Sequence, residues 1–362
     1  MPRIIFTVTN DLVYDQRMNR IANSMAKSGY QVLLIGRKLS YSQNVIPHSY
    51  QQKRIRCLFN RGSLFYAEYN MRLFFFLLLQ QADIFCAIDL DTIIAVYFAS
   101  ALRNKKRVYD AHELFTEQKE IITRPLIQKF WLQIEKFAVP KFIHGYTVNS
   151  FLAHEFKKRY GVSYTVIRNL PTLLPMTDTS PDRNEKWIIY QGAVNQGRSF
   201  ETLIPAMQNV NARLVICGKG NFYEETRQLI SHYKLDSKIE LRGYISPENL
   251  HHLTPLAYLG ITLFESEGLN QYHSLANRFF DYMMAGIPQV CVNYPEYAAI
   301  NQEYGIAYMI PDCNADTITT ALNKLLNDTV MYKELATNCI AARSILNWEE
   351  EEKILVNFYK YL

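Results

Sequence analysis

Short apolar runs of strand length alternate with helical-period segments through the first half of the chain, the signature of a parallel sheet wrapped by helices. Strands are expected at Arg3–Val8, Gln31–Ile35, Asp83–Ile88, Arg107–Asp110, Gly145–Val148 and Tyr164–Ile167. Helices are expected between them at Asp15–Ser28, Ser63–Gln80, Thr92–Leu102, Pro125–Phe137 and Ser150–Arg159. From Asn169 to Asn184 the period breaks over a stretch rich in Pro, Thr and Asp, as an inter-domain linker would. The alternation then resumes, with strands at Trp187–Gln191, Arg213–Cys217, Ile239–Leu241, Leu259–Phe264 and Pro288–Asn293. A last helix, from about Trp348 to Tyr361, carries Ile354, Leu355, Phe358 and Leu362 at helical spacing and so has an apolar face to pack. The pattern reads as an α/β chain of two Rossmann-like domains, 1–171 and 185–345, joined by a linker at 172–184. Residues 346–362 form a C-terminal helix that would pack back on the first domain.

Length and composition agree: 362 residues, 49% hydrophobic, are too many for one ordinary core. The most apolar stretch, Leu73 to Leu79, falls well short of the roughly 20 residues that cross a bilayer. It reads as a buried core helix; an exposed face there would instead make it, with Arg72, an apolar contact. The opening apolar run stops at Asn10-Asp11, too soon for a signal peptide, and the six cysteines are scattered without disulfide or zinc spacing. A cytoplasmic location is therefore expected. Charge divides sharply, with 24 Lys+Arg against 12 Asp+Glu in residues 1–170 and 15 against 22 in the remainder. A half at +12 attracts nucleic acid, anionic lipid headgroups or phosphorylated molecules, and its sign alone does not choose among them.

In doubly wound sheets ligands bind beyond the carboxyl ends of the strands, so the loops that follow strands are where chemistry should sit. Tyr190-Gln191-Gly192-Ala193-Val194-Asn195-Gln196-Gly197-Arg198 runs from a strand through a glycine-bearing loop into a helix. Gly192 and Gly197 would let the backbone approach an anion, and Arg198 adds a permanent cation, which suits a diphosphate. An ordinary strand-to-helix turn with a surface arginine accounts for the same residues. Cys217-Gly218-Lys219-Gly220-Asn221 follows the next strand and places Lys219 where it would reach the same phosphate.

The third loop and the helix after it are the most informative. Phe264-Glu265-Ser266-Glu267-Gly268-Leu269-Asn270 leads to His273-Ser274-Leu275-Ala276-Asn277-Arg278-Phe279-Phe280-Asp281-Tyr282-Met283-Met284-Ala285-Gly286-Ile287-Pro288. This resembles the nucleotide-sugar signature of retaining glycosyltransferases of family 4 (glycosyl transferases group 1), Pro-Asn-Lys-x-Phe-Glu-Tyr-Met-x-Ala-Gly-x-Pro. Thr9-Asn10-Asp11-Leu12-Val13-Tyr14-Asp15-Gln16-Arg17, Asp89-Leu90-Asp91-Thr92 and Tyr109-Asp110-Ala111-His112-Glu113-Leu114-Phe115 extend the resemblance across nearly the whole chain.

The resemblance implies the GT-B fold, two Rossmann-like parallel-sheet domains facing across a cleft. It puts Asp281 in the place of the glutamate that binds the ribose hydroxyls, and Ser274 to Asn277 against the donor sugar or phosphate. The family's first glutamate falls on His273, a departure in which Glu265 or Glu267 would have to substitute. A helix opening at Asn277 also points its positive end at a diphosphate, with Asp281 one turn in; a core stripe of Phe279, Phe280, Met283 and Met284 is the competing account. His112 and Glu113 follow a strand and are candidates for the donor sugar or the acceptor hydroxyl, or for capping a turn. Asp15 and Arg17 open the first helix, as donor contacts or, for Asp15, as a plain helix N-terminal acid.

Retention of anomeric configuration follows from the resemblance, with Arg198 and Lys219 holding the leaving diphosphate and Arg278 as a helper. Asp89-Leu90-Asp91 imitates a divalent-cation motif of a different glycosyltransferase architecture, but Asp91 suits a helix N-cap and no metal or other cofactor is expected. The donor substrate would be a UDP- or GDP-linked sugar. The expected acceptor is a glycan or lipid-linked molecule in cell-surface polysaccharide or glycolipid synthesis. The basic first domain would hold the enzyme peripherally on the anionic inner face of a membrane, and nucleic acid is not among the expected partners. Two other readings of the same fold stand, a non-catalytic partner protein and a sugar-nucleotide epimerase. A two-domain dehydrogenase is set aside, because Thr7-Val8-Thr9-Asn10 after the first strand has no glycine.

Overall fold

The computed structural model describes residues 1–13, 15–175 and 185–362, so Tyr14 and most of the expected linker lie outside the described residues. Strands buried on both faces and apolar along their length should pair in parallel inside helical layers, and two such sheets form. The first has β1 (Arg3–Thr7), β2 (Gln31–Lys38), β3 (Gln51–Arg56), β4 (Ile84–Ile88), β5 (Lys106–Ala111), β6 (His144–Thr147) and β7 (Thr165–Val166). Its spatial order is β3-β2-β1-β4-β5-β6-β7, and every pairing is parallel. The second has β8 (Trp187–Gln191), β9 (Arg213–Cys217), β10 (Ile239–Gly243), β11 (Leu259–Thr262), β12 (Gln289–Val292) and β13 (Ala307–Ile310), in the order β10-β9-β8-β11-β12-β13, again all parallel.

The chain divides into two compact units, residues 1–169 with 351–362, and residues 170–350. Leu170 and Pro171, placed before the linker on sequence grounds, sit with the second unit. Leu170 packs in that unit's core, and the carbonyl of Pro171 accepts the N–H of Trp348 at 2.8 Å. The helix Trp348–Lys360 begins in the second unit and ends in the first, where Leu355 and Tyr359 are buried. Tyr359 meets Phe6 and Tyr146 edge-on, at ring separations of 6.0 and 6.2 Å.

Helix ends follow local chemistry. Asp15 caps Gln16–Lys27 by accepting the N–H of Met18 at 3.0 Å, and Met18, Ile21, Ala22 and Met25 turn inward. Asn149 caps Ser150–Tyr160, which stops at Gly161 with φ +72°, a left-handed stop that favours glycine. The helix Ile93–Leu102 corrects one expectation: its N-cap is Thr92, and the Asp91 carboxylate turns instead to the hydroxyl of Thr9. Among the described residues, no helix is long and apolar enough to cross a membrane.

Candidate functional site

Each sheet reverses its winding beside its first strand, between β1 and β4 and between β8 and β11. Loops leaving such strands diverge and open a ligand-sized crevice at the carboxyl edge, and the sequence candidates fall on loops after these strands or their immediate neighbours in both units.

In the first unit, Asp89 and Asp91 follow β4, while Asp110 and His112 lie at and just beyond the end of β5. Asp89 takes a left-handed backbone, φ 55°, which costs a non-glycine residue of order 1 kcal/mol. That turn brings its carboxylate to His112, accepting the backbone N–H at 2.9 Å and standing 3.3 Å from ring Nδ1. His112 Nε2 is 3.0 Å from Asp110 Oδ2, and Arg17 donates to Asp110 Oδ1 at 3.1 Å and to the carbonyl of Ile167.

Arg17 Nε also comes within 3.0 Å of His112 Nε2, a contact that a neutral ring would accept. A neutral ring, however, leaves the buried Oδ2 of Asp110 without a hydrogen-bond partner and sets two carboxylates against one guanidinium. The imidazolium satisfies both demands. Burial works against its charge, but Asp110 and then Asp89 outweigh burial and hold the His112 pKa well above the usual histidine range. Burial likewise works against the Asp110 carboxylate, and Arg17 and His112 hold its pKa below the usual value. Burial, and then Asp89, push the Asp91 carboxyl up to about 7. At neutral pH His112 is therefore a cation and hydrogen-bond donor, with 24% of its side chain exposed, and not a general base. Arg17 is buried and acts on this cluster from behind. Asp15 serves as the helix cap already described, and Glu113 accepts from the side-chain amide of Gln118.

In the second unit the loop after β8 and the loop after β9 lock together. Val194 donates to the carbonyl of Lys219 and Phe222 to that of Val194, while Asn195 Oδ1 takes the N–H of Asn221. The approach is so close that a Cβ on Gly218 would stand 1.7 Å from the carbonyl oxygen of Gly192. Gly192 (φ 126°) and Gly197 (φ 83°) both hold conformations that favour glycine. The space beside Gly197 is filled by the Gln271 side chain, and that beside Gly192 is approached by Arg278 Nη1.

Phe264, just beyond β11, carries two guanidiniums. Arg198 lies 4.2 Å and Arg278 4.5 Å from its ring centre, both within cation–π range. Arg278 is buried, held by Tyr190 Oη at 3.3 Å and the Leu263 carbonyl at 3.2 Å, and its Nε has no hydrogen-bond partner. Among the described residues no carboxylate lies within ion-pair distance of it. Arg198 is half-buried, and Lys219 is exposed.

The helix Asn277–Met284 opens where the sequence placed it. Its entry is fastened by Tyr297, whose hydroxyl accepts the N–H of Ala276 at 3.0 Å and lies 3.2 Å from Ser274 Oγ. Asn277 is exposed at the first helical position, and the His273 ring packs edge-on to Tyr272. One turn in, Asp281 accepts from Gln191 Nε2 at 2.9 Å, while Gln191 Oε1 accepts the hydroxyl of Thr254 at 2.7 Å. Arg198, Phe264, Arg278, Gly192, Gln191 and Asp281 thus form one connected group. Sequence reasoning missed the roles of Phe264, Gln191 and Thr254. The available signal was a lone amide ending the otherwise apolar strand Trp187–Gln191.

Residues 177–342 match the family model for Glycosyl transferases group 1. The whole structure is similar to sucrose-phosphate synthase from Thermosynechococcus elongatus, with a TM-score of 0.83 at 15% identity over 100% of this chain and 99% of that one. Anabaena Alr3699/HepE in complex with UDP and glucose gives 0.78 at 13% identity, covering 100% of both chains. WaaG, a glycosyltransferase involved in lipopolysaccharide biosynthesis, gives 0.74 at 13% identity over 98% of each chain. Comparison with curated proteins finds no match in sequence. With a glycosyl transferases group 1 match over residues 177–342 and two parallel sheets like those of solved glycosyltransferases, the protein has the GT-B glycosyltransferase fold.

Proposed function

We propose that the protein transfers a sugar from a nucleoside diphosphate sugar to a glycan or lipid-linked acceptor, with retention of anomeric configuration and without a metal ion. The observation that carries the reading is the pair of guanidiniums on Phe264 beside the Gly192 loop, of which Arg278 is buried with no carboxylate partner among the described residues. Uncompensated buried charge is costly, and an anionic ligand is what relieves it. Asp281, fixed by Gln191, is proposed to take the ribose hydroxyls. UDP and glucose in the Anabaena protein of the same fold favour a UDP-linked donor, and GDP-linked sugars are the other class to test.

In the proposed reaction the bond from the anomeric carbon to the diphosphate oxygen breaks as the bond to the acceptor oxygen forms on the same face. The acceptor proton passes to the departing phosphate. Arg198 and Lys219 stabilise the charge that grows on the leaving group, where preorganised cations contribute most. His112, as a charged donor, is proposed to hydrogen-bond a sugar or acceptor hydroxyl, with Glu113 beside it. The first unit's charge of +12 is proposed to favour an anionic membrane surface near the acceptor.

A thermal-shift panel of UDP-, GDP- and ADP-sugars tests the donor assignment, because a ligand that binds only native protein raises its melting temperature. A rise with one nucleotide class and sugar transfer from it are expected; no response to any of them would remove the assignment. His273 at the family's glutamate position is the feature that favours a non-catalytic partner or an epimerase. Donor consumed without acceptor, with an isomerised sugar released, would identify the epimerase; donor bound and never consumed would identify the partner protein.

A further inference from the structure

A surface helix normally turns a polar face to water, and the helix Gly62–Leu79 does not. It buries Phe65, Tyr69, Leu73 and Leu77 against the first core, yet turns Met71, Phe75 and Leu79 outward, with Leu79 83% exposed. The run Leu73 to Leu79 is therefore only half a core element. The helix Pro125–Ala138 repeats the arrangement, burying Trp131 and Ala138 while Leu126, 85% exposed, Phe130 and Phe137 face out. The two helices touch through Tyr66 and Trp131, with ring centres 5.2 Å apart. Phe137 in turn stacks on Phe98 of the helix Ile93–Leu102 at 6.3 Å. The three helices bury their inward sides in one core cluster, and each leaves apolar side chains facing out, with Phe98 and Phe137 meeting between two of them. Faces of this kind on folded proteins mark interaction sites.

On these helices and at their N-caps the exposed charges have one sign. Arg72, Lys129 and Lys136 on the helices, and Arg61 and Arg124 at their N-caps, are all exposed. The three helices hold two carboxylates. Glu68 is engaged by the N–H groups of Leu58 and Phe59 and by Arg72, and Glu135 is buried against the hydroxyl of Thr116. Apolar side chains that insert at the headgroup boundary, rimmed by long cationic ones that reach the headgroups, match an anionic lipid surface.

We propose that this three-helix face docks the protein on an anionic lipid bilayer, with Leu126, Phe130, Phe75 and Leu79 as the inserting side chains. The proposal rests on the reading that the first unit works at an anionic surface, and it adds the face and the apolar anchors.

Sedimentation of the full-length protein with vesicles of phosphatidylcholine, with and without phosphatidylglycerol, tests it. The wild-type protein is expected to bind the mixed vesicles, more weakly at high salt. Leu126→Ser/Phe130→Ser should lower the partition coefficient at least about tenfold, and Lys129→Gln about fivefold, with unchanged melting temperatures. Should the first pair unfold the protein, Phe75→Ser/Leu79→Ser provides the same readout on the neighbouring helix. Wild type and both apolar variants binding alike would overturn the face while leaving charge-led attraction standing. No binding by wild type would remove both. A dimer in solution that the same substitutions dissociate, without vesicle binding, would show that a second copy covers the face and would also overturn the proposal.

Discussion

Arg278, buried on the ring of Phe264 with no carboxylate within ion-pair distance among the described residues, keeps its charge for a ligand, and Arg198 rests on the same ring. Arg198 is the more accessible of the two, so Arg198→Ala should lower turnover with donor and acceptor by well over tenfold while leaving the melting temperature unchanged. Turnover equal to wild type would remove its role on the diphosphate. Gly218→Ala should act on stability instead. Its Cβ would meet the backbone oxygen of Gly192, which cannot swing aside, and the loss should be about 3 kcal/mol or more by denaturant midpoint. Asp91 gives a pH signature. Its folded pKa of about 7 lies above the ordinary value of 3.8, so the folded state binds the extra proton and stability falls as pH rises between those limits. His112, raised, contributes below the ordinary histidine pKa and loses its contribution only as pH climbs through its own higher value. Asp110, lowered, loses its contribution only in acid as pH falls through its folded value. Asp91 therefore contributes a downward slope between about pH 4 and 7, to which the raised carboxyls of Glu135 and Glu351 add, and Asp91→Asn should reduce the fall in melting temperature across that range. An unchanged slope would reassign the proton. Motif residues such as Arg198 and Asp281 were readable because glycine spacing and an ordered run of residue types mark them. Gln191 and Thr254 were not, since a buried amide bond to Asp281 depends on a partner 90 positions away.

Elements buried on both faces were legible to within a residue or two. Trp187–Gln191, Arg213–Cys217 and the start of Asn277–Met284 coincide with the apolar pattern. The two strands absent from that reading are both at sheet edges. β3, Gln51–Arg56, holds polar and cationic residues along nearly its whole length, because one side meets water and only β2 pairs with it. β13, Ala307–Ile310, is only four residues long and half-buried at its middle positions, too little contrast to register as a period. The final helix was visible as an amphipathic segment, but its partners were not. Tyr359 lies against Phe6 and Tyr146, so Tyr359→Ala should cost about 3 kcal/mol. The loss should appear in the unfolding of the first unit, followed by near-ultraviolet circular dichroism; an undiminished midpoint would show the helix to be dispensable.

At the scale of the molecule, both sheets share one strand order up to the point where the first adds β7, and each carries its candidate residues beyond strands that flank its reversal or lie next to those that do. Charge does not follow that likeness: the half built on the first sheet is strongly basic and the other acidic. A chain ending at Glu350 should keep the second unit's stability and lose much of the first unit's, since it lacks Leu355 and Tyr359. Differential scanning calorimetry would read this as a lowered first transition, and two unaltered transitions would contradict it. The return of residues 351–362 to the first unit also sets a birth order. On the ribosome the opening 169 residues wait for their closing segment while some 180 more are made, roughly 10–40 s at ordinary synthesis rates. Until then the part of the first unit's core around Phe6 and Tyr146, against which Tyr359 packs, stays uncovered, so the earlier-made unit is the later one to be completed.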